Sequence, residues 1–135
     1  MKLSLSLRIL SIFFWWYLVV FVLSVLPLIG IGLPGWMIPP FRGEVYAWDF
    51  ELLFTCIFIV WAVFLWRSAR NPGEYKSFIA FTLYATGAHI LGMLVIGLIR
   101  PADLSHMLID AAALTLPLAL VAWGYTNELV LGKRN

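Results

Sequence analysis

Charge is scarce in this sequence. Of its 135 residues only 12% are Asp, Glu, Lys or Arg, whereas 63% are hydrophobic and the mean hydropathy is +0.96. A soluble domain carries roughly a quarter charged and about half apolar residues. This chain therefore has too little polar surface to face water on all sides, which excludes an ordinary soluble domain and makes an integral membrane protein the expectation. Cysteine is scarcer still. The single Cys56 rules out an internal disulfide, a CxxC redox pair and a cysteine-based metal cluster within the chain, and a lone thiol on an apolar face reads as packing. A net charge of +2 is too small to attract nucleic acid. Internal repeats, low-complexity tracts and heptads are missing. So are a glycine-rich phosphate loop, a nucleophile–base motif and an H-x-x-E-H metal spacing.

What the sequence has is apolar residues in long blocks. Four of them, at about 9–29, 48–66, 77–99 and 106–126, are each near the ~20 residues that cross a bilayer. The expected fold is an all-α membrane protein, a single four-transmembrane-helix bundle over residues 1–135. Lys2 and Arg8 precede the first block as they would in a secretory signal. However, the run is longer than a ~7–15 residue signal core and no A-x-A-like site follows, so it reads as a retained helix. Trp15, Trp16 and Tyr17 are expected near its cytoplasmic end, at the headgroups. The connection at 30–48 holds four glycines and three prolines among bulky apolar residues. Irregular backbone is unstable in hydrocarbon, so this segment either anchors along the surface or folds over the bundle as a lid. Asn71-Pro72-Gly73 marks the turn after the second block, and Pro117 is expected to kink the fourth.

The basic residues set the orientation. In a four-crossing chain Lys2, Arg8, Arg67, Arg70, Lys76, Lys133 and Arg134 share one side, and Arg42 and Arg100 the other. That asymmetry predicts both termini in the cytoplasm, an N-in/C-in bundle in a bacterial cytoplasmic (inner) membrane. The acids Glu44, Asp49, Glu51, Asp103 and Asp110 fall on the opposite, outer side.

The third block carries the candidate site. At about 100° per residue Thr82, Thr86, His89, Met93, Ile96 and Arg100 form one stripe, which should face other helices rather than lipid. Glu51 and Asp110 enter from the outer ends of their helices, and Arg100 at the rim is their natural counter-ion. His89 lies about 15 Å below the outer end at 1.5 Å per residue, deeper than either carboxylate. Three readings of Glu51, Thr82, Thr86, His89, Arg100 and Asp110 stand open. They are polar glue between helices, a small-ligand or proton-handling pocket, or a catalytic site. No metal, haem or other cofactor is expected, because His106 sits at a helix end while His89 is central.

The run RNPGEYKSFIAFTLYATGAH, followed by HMLIDAAALTLPL, resembles a family of small four-helix bacterial membrane proteins known only as a domain of unknown function. Glu51, Arg70, Asn71, Pro72, Ser77, His89, His106 and Asp110 are the matching positions, and the likeness covers about residues 44–122. The resemblance implies the four-helix layout and no activity. A looser likeness, to four-helix membrane folds that bind sterols or quinone-like molecules, is one of architecture alone. The expected function is a non-enzymatic binding or accessory subunit. Its outer-half polar pocket would hold a lipid or small amphipathic molecule, or the bundle would dock another membrane subunit in the bilayer. The rival is a membrane-embedded enzyme acting on a lipid-soluble substrate, with Glu51, Asp110 and His89 as acid–base groups.

Overall fold

Over residues 2–26, 30–32 and 48–132, which the computed structural model describes, the chain is all-helical. Its four helices are α1 (Leu3–Val25), α2 (Trp48–Ser68), α3 (Lys76–Ile99) and α4 (Leu104–Tyr125). A 3₁₀ turn, Pro101–Asp103, joins α3 to α4, and one π-helical turn, Thr126–Val130, follows α4. Most of the connection read as an anchor or lid lies outside the described residues, as do Lys133 and Arg134.

α1 starts at Leu3 rather than near residue 9. Leu3, Leu7, Leu10 and Phe14 are buried on one helical stripe, so the early leucines belong to the core and not to a flanking tail. This earlier start carries Tyr17 away from the headgroup position expected for it. It is half-buried and packs on Phe58 of α2, with ring centroids 4.5 Å apart. α3 stops at Ile99 because Arg100 precedes a proline and adopts φ −120°, ψ 85°, outside the helical region. α4 runs as one helix through Pro117.

The helices pack in antiparallel pairs, α1 on α2, α3 on α4 and α1 on α4, which brings residue 3 and residue 128 to the same end. Each close pair has a small residue at its contact. Ser11 Oγ donates to the Ala62 carbonyl at 2.7 Å between α1 and α2. A Cβ on Gly97 would lie 3.1 Å from Leu104 Cδ1, and one on Gly124 would lie 2.9 Å from the Cα of Leu3. Gly87 and Gly92, by contrast, face open space. Glu128, on the π-helical turn, accepts the Leu3 N–H at 2.6 Å and so ties the start of the first helix to the end of the last.

Polarity runs opposite to that of a soluble protein. Ser6, Ser11, Thr55, Ser68, Thr82 and Thr86 are buried, while Ile12, Leu53, Val60, Leu91, Leu98 and Leu116 lie exposed. The stretches Leu3–Leu23, Lys76–Ile99 and Met107–Val130 are long and apolar enough to cross a membrane, and Leu52–Ser68 is a shorter apolar helix. An outer surface of this kind suits hydrocarbon and would aggregate in water.

Candidate functional site

α2 and α3 face each other without a small-residue contact of this sort. Large rings fill the space between them: Trp61 stacks on Phe81 at 5.4 Å, and Phe64 meets Phe78 at 5.8 Å. A hydrogen bond crosses the seam, from Trp61 Nε1 to Thr82 Oγ1 at 2.9 Å. Beside it lies a cavity of about 260 Å³. Phe54, Phe58 and Trp61 of α2 wall one side, and Phe81, Thr86 and His89 of α3 the other. Phe14 of α1 and Leu114 of α4 close the back.

The chemistry of this lumen is aromatic with two polar groups. The half-buried His89 ring contacts Phe54 at 6.2 Å and stands edge-on to Phe58 at 6.1 Å. Thr86, one turn away, is 4% exposed, and its Oγ1 has no hydrogen-bond partner. Buried hydroxyls are nearly always satisfied, so this one stands out. The remaining polar atom on the walls, the indole N–H of Trp61, is already engaged by Thr82.

Thr86 and His89 therefore both line the cavity, the Thr86 hydroxyl lying beneath its surface, and Thr82 bonds the Trp61 indole of its wall. Asp110 of α4 is half-buried and close enough to act electrostatically on both His89 and Tyr17. Arg100, in contrast, is exposed at the end of α3 and does not line the cavity. The stripe that was to carry it turns away after Met93. The buried face continues to Gly97, under Leu104 and Met107, and leaves Ile96 and Arg100 outside. The backbone of Glu51 and of His106 is helical, but their side chains lie outside the described ones. Among the described residues, no three His, Cys, Asp or Glu side chains gather as metal ligands.

The cavity differs from the expected outer-half polar pocket in depth and in character. It lies near the middle of the helices and is mostly ring-walled. Sequence reasoning missed its aromatic side, although Phe54, Phe58 and Trp61 at i, i+4 and i+7 were a legible stripe. It missed Glu128 as well, because a cap supplied from 125 residues away has no local signature.

The chain belongs to DUF6632, a family of unknown function, whose match extends over residues 6–126. The family thus takes in the first helix as well as the 44–122 stretch in which the resemblance was legible. No curated protein and no solved structure matches the chain.

Proposed function

We propose that this member of DUF6632 is a non-enzymatic binding protein of the bacterial cytoplasmic membrane, a four-span bundle with both termini in the cytoplasm. Its ligand is a small lipid-soluble molecule held between α2 and α3. The observation that carries the reading is the cavity itself. A half-open apolar recess at a helix seam leaves ring faces without protein neighbours, and a ligand seated there supplies the missing dispersion contacts. Phe54, Ile57 and Phe81 line the cavity and are also exposed on the outer surface. Its mouth therefore opens sideways, toward the acyl chains in which such a ligand dissolves.

The test is extraction of the protein in mild detergent, followed by native mass spectrometry and solvent analysis of what stays bound. A lipophile should accompany the wild type and be lost from Ala85→Trp, which fills the lumen. An empty wild-type protein, or an equal yield from the variant, refutes the reading. Co-purifying polypeptides would point to an accessory subunit instead. The topology is checked separately in a Cys56→Ser background. Cysteines at Ser4 and Asn135 should resist an impermeant thiol reagent in intact cells, while one at Gly43 should react.

The enzymatic alternative draws support from the electrostatic influence of Asp110 on His89 and Tyr17. Acid–base work by that trio predicts turnover that falls at least a hundredfold in Asp110→Asn. Ligand retention without turnover is the outcome expected of a binding protein.

A further inference from the structure

We infer that the cavity receives the head group of a tailed, two-ring carbonyl compound, a naphthoquinone-class lipid. The carbonyl would accept hydrogen bonds from Thr86 and His89, and the tail would leave between α2 and α3. This inference rests on the binding function proposed above and adds to it the chemical class of the ligand.

Size comes first. An apolar protein cavity of about 150 Å³ takes up a single benzene ring. A recess of about 260 Å³ has room for two fused rings, and a larger ring system would project from its mouth. Shape follows from the walls. Phe58 and Trp61 on α2 and Phe81 on α3 present rings to the space, and rings of this kind favour a flat aromatic guest in offset or edge-on contact.

Polarity then selects the functional group. Among the described side chains that line the cavity none is Lys, Arg, Asp or Glu, and a neutral head group avoids the cost of charge at that depth. Among the described lining residues, the polar groups besides the engaged Trp61 indole are the His89 ring and the unpartnered Thr86 hydroxyl. The Thr86 hydroxyl lies beneath the wall in this structure, and rotation about χ1 is the step that would bring its O–H to a guest. A neutral imidazole contributes one N–H donor. Both groups, one turn apart on one helix face, can donate, and a ring carbonyl accepts from them without charge. Finally, the mouth lies among exposed Phe54, Ile57 and Phe81, on the lipid-facing side of the bundle. A ligand anchored by an aliphatic tail can enter there without leaving the bilayer.

The experiment compares two probes on the purified full-length protein in nanodiscs: a naphthoquinone carrying one isoprenoid unit, and the naphthalene hydrocarbon with the same tail. Tryptophan quenching and ligand-dependent thermal stabilisation are both read. The quinone should bind the wild type at least ten times more tightly than the hydrocarbon. Thr86→Val preserves the side-chain shape and should weaken the quinone about fivefold to tenfold, the effect of one lost hydrogen bond, while leaving the hydrocarbon unchanged. Ala85→Trp should abolish binding of both. Equal affinity for the two probes overturns the carbonyl assignment, and so does quinone binding indifferent to Thr86→Val. Neither result touches the binding function itself. If neither probe binds while another lipophile co-purifies with the wild type and is lost from Ala85→Trp, the ligand class is wrong and the site is right. If nothing binds and nothing co-purifies, both fall.

Discussion

Replacing Glu128 by alanine should loosen the whole bundle, although the residue sits on a single turn after the last long helix. The first N–H groups of any helix lack partners within it. At α1 no side chain of the neighbouring residues caps them, and Leu3 is wholly buried, so water cannot take the role there. Glu128 does so from the other end of the chain, through a 2.6 Å bond to the Leu3 N–H. A hydrogen bond to an ionised group contributes about 1.5–3 kcal/mol, and a carboxylate at a helix N-terminus about 0.3–1 kcal/mol more. Glu128 is only half-buried, which argues for the low end, so the alanine variant should lose about 2 kcal/mol. Glutamine keeps an acceptor without the charge and should lose roughly half as much. Aspartate, one methylene shorter, cannot reach and should resemble alanine. Unfolding equilibria of the purified protein in detergent measure the loss. The rate at which a cysteine at Ser4 is labelled, in a Cys56→Ser background, reports local fraying of α1. If Glu128→Ala shifts stability by less than about 0.5 kcal/mol and leaves that labelling rate unchanged, the clamp is a passing contact and the reasoning fails.

Gly124→Ala should destabilise the bundle by about 1–3 kcal/mol, the usual cost of overpacking. Its Cβ would stand 2.9 Å from the backbone of Leu3, which no side-chain rotation can relieve. Gly92→Ala, facing open space on α3, serves as the control and should be neutral or slightly stabilising through helix propensity. Arg100→Ala should change stability by less than about 0.5 kcal/mol, as exposed substitutions usually do. A loss of several kcal/mol in the same unfolding assay would restore the role of buried counter-ion that the sequence suggested for it.

The helical architecture was legible because the physics behind it is coarse. Apolar blocks of about 20 residues match the length of a spanning helix, and Asn71-Pro72-Gly73 marks a turn that any reading finds. The site was legible in part. Thr82, Thr86 and His89 fall on one helical face by rotation alone, and all three sit at the α2–α3 seam. Arg100 was misplaced for a local reason: after Met93 the buried face of α3 shifts to Gly97, which leaves Ile96 and Arg100 outside a stripe that a uniform rotation extends to them. Tyr17 was misplaced for a longer-range one. Its depth depends on where α1 begins, and that start is fixed by burial of Leu3 and by Glu128, neither of which a hydropathy window detects.

Side-chain size at each helix contact explains why the cavity lies where it does. Without a hydrophobic force between helices in lipid, close approach depends on small residues and on polar contacts. α1 meets α2 through Ser11, α3 meets α4 at Gly97, and α4 meets α1 at Gly124. The fourth seam brings Trp61 and Phe64 against Phe78 and Phe81. Rings of that bulk keep two helix axes apart, and they cannot fill every gap between cylinders that no longer touch. Three tight seams and one wide one thus leave a lumen on the wide side. Thr86 and His89 are the polar groups on α3 that line it. The same ring stack that keeps the seam from closing supplies the flat walls, so the void and its preference for a planar guest have a single origin. Trimming a wall residue that is not one of these spacers should enlarge the site without closing the seam. Phe54→Leu should admit a bulkier head group, whereas small-to-large changes at Gly97 or Gly124 should disturb the fold first.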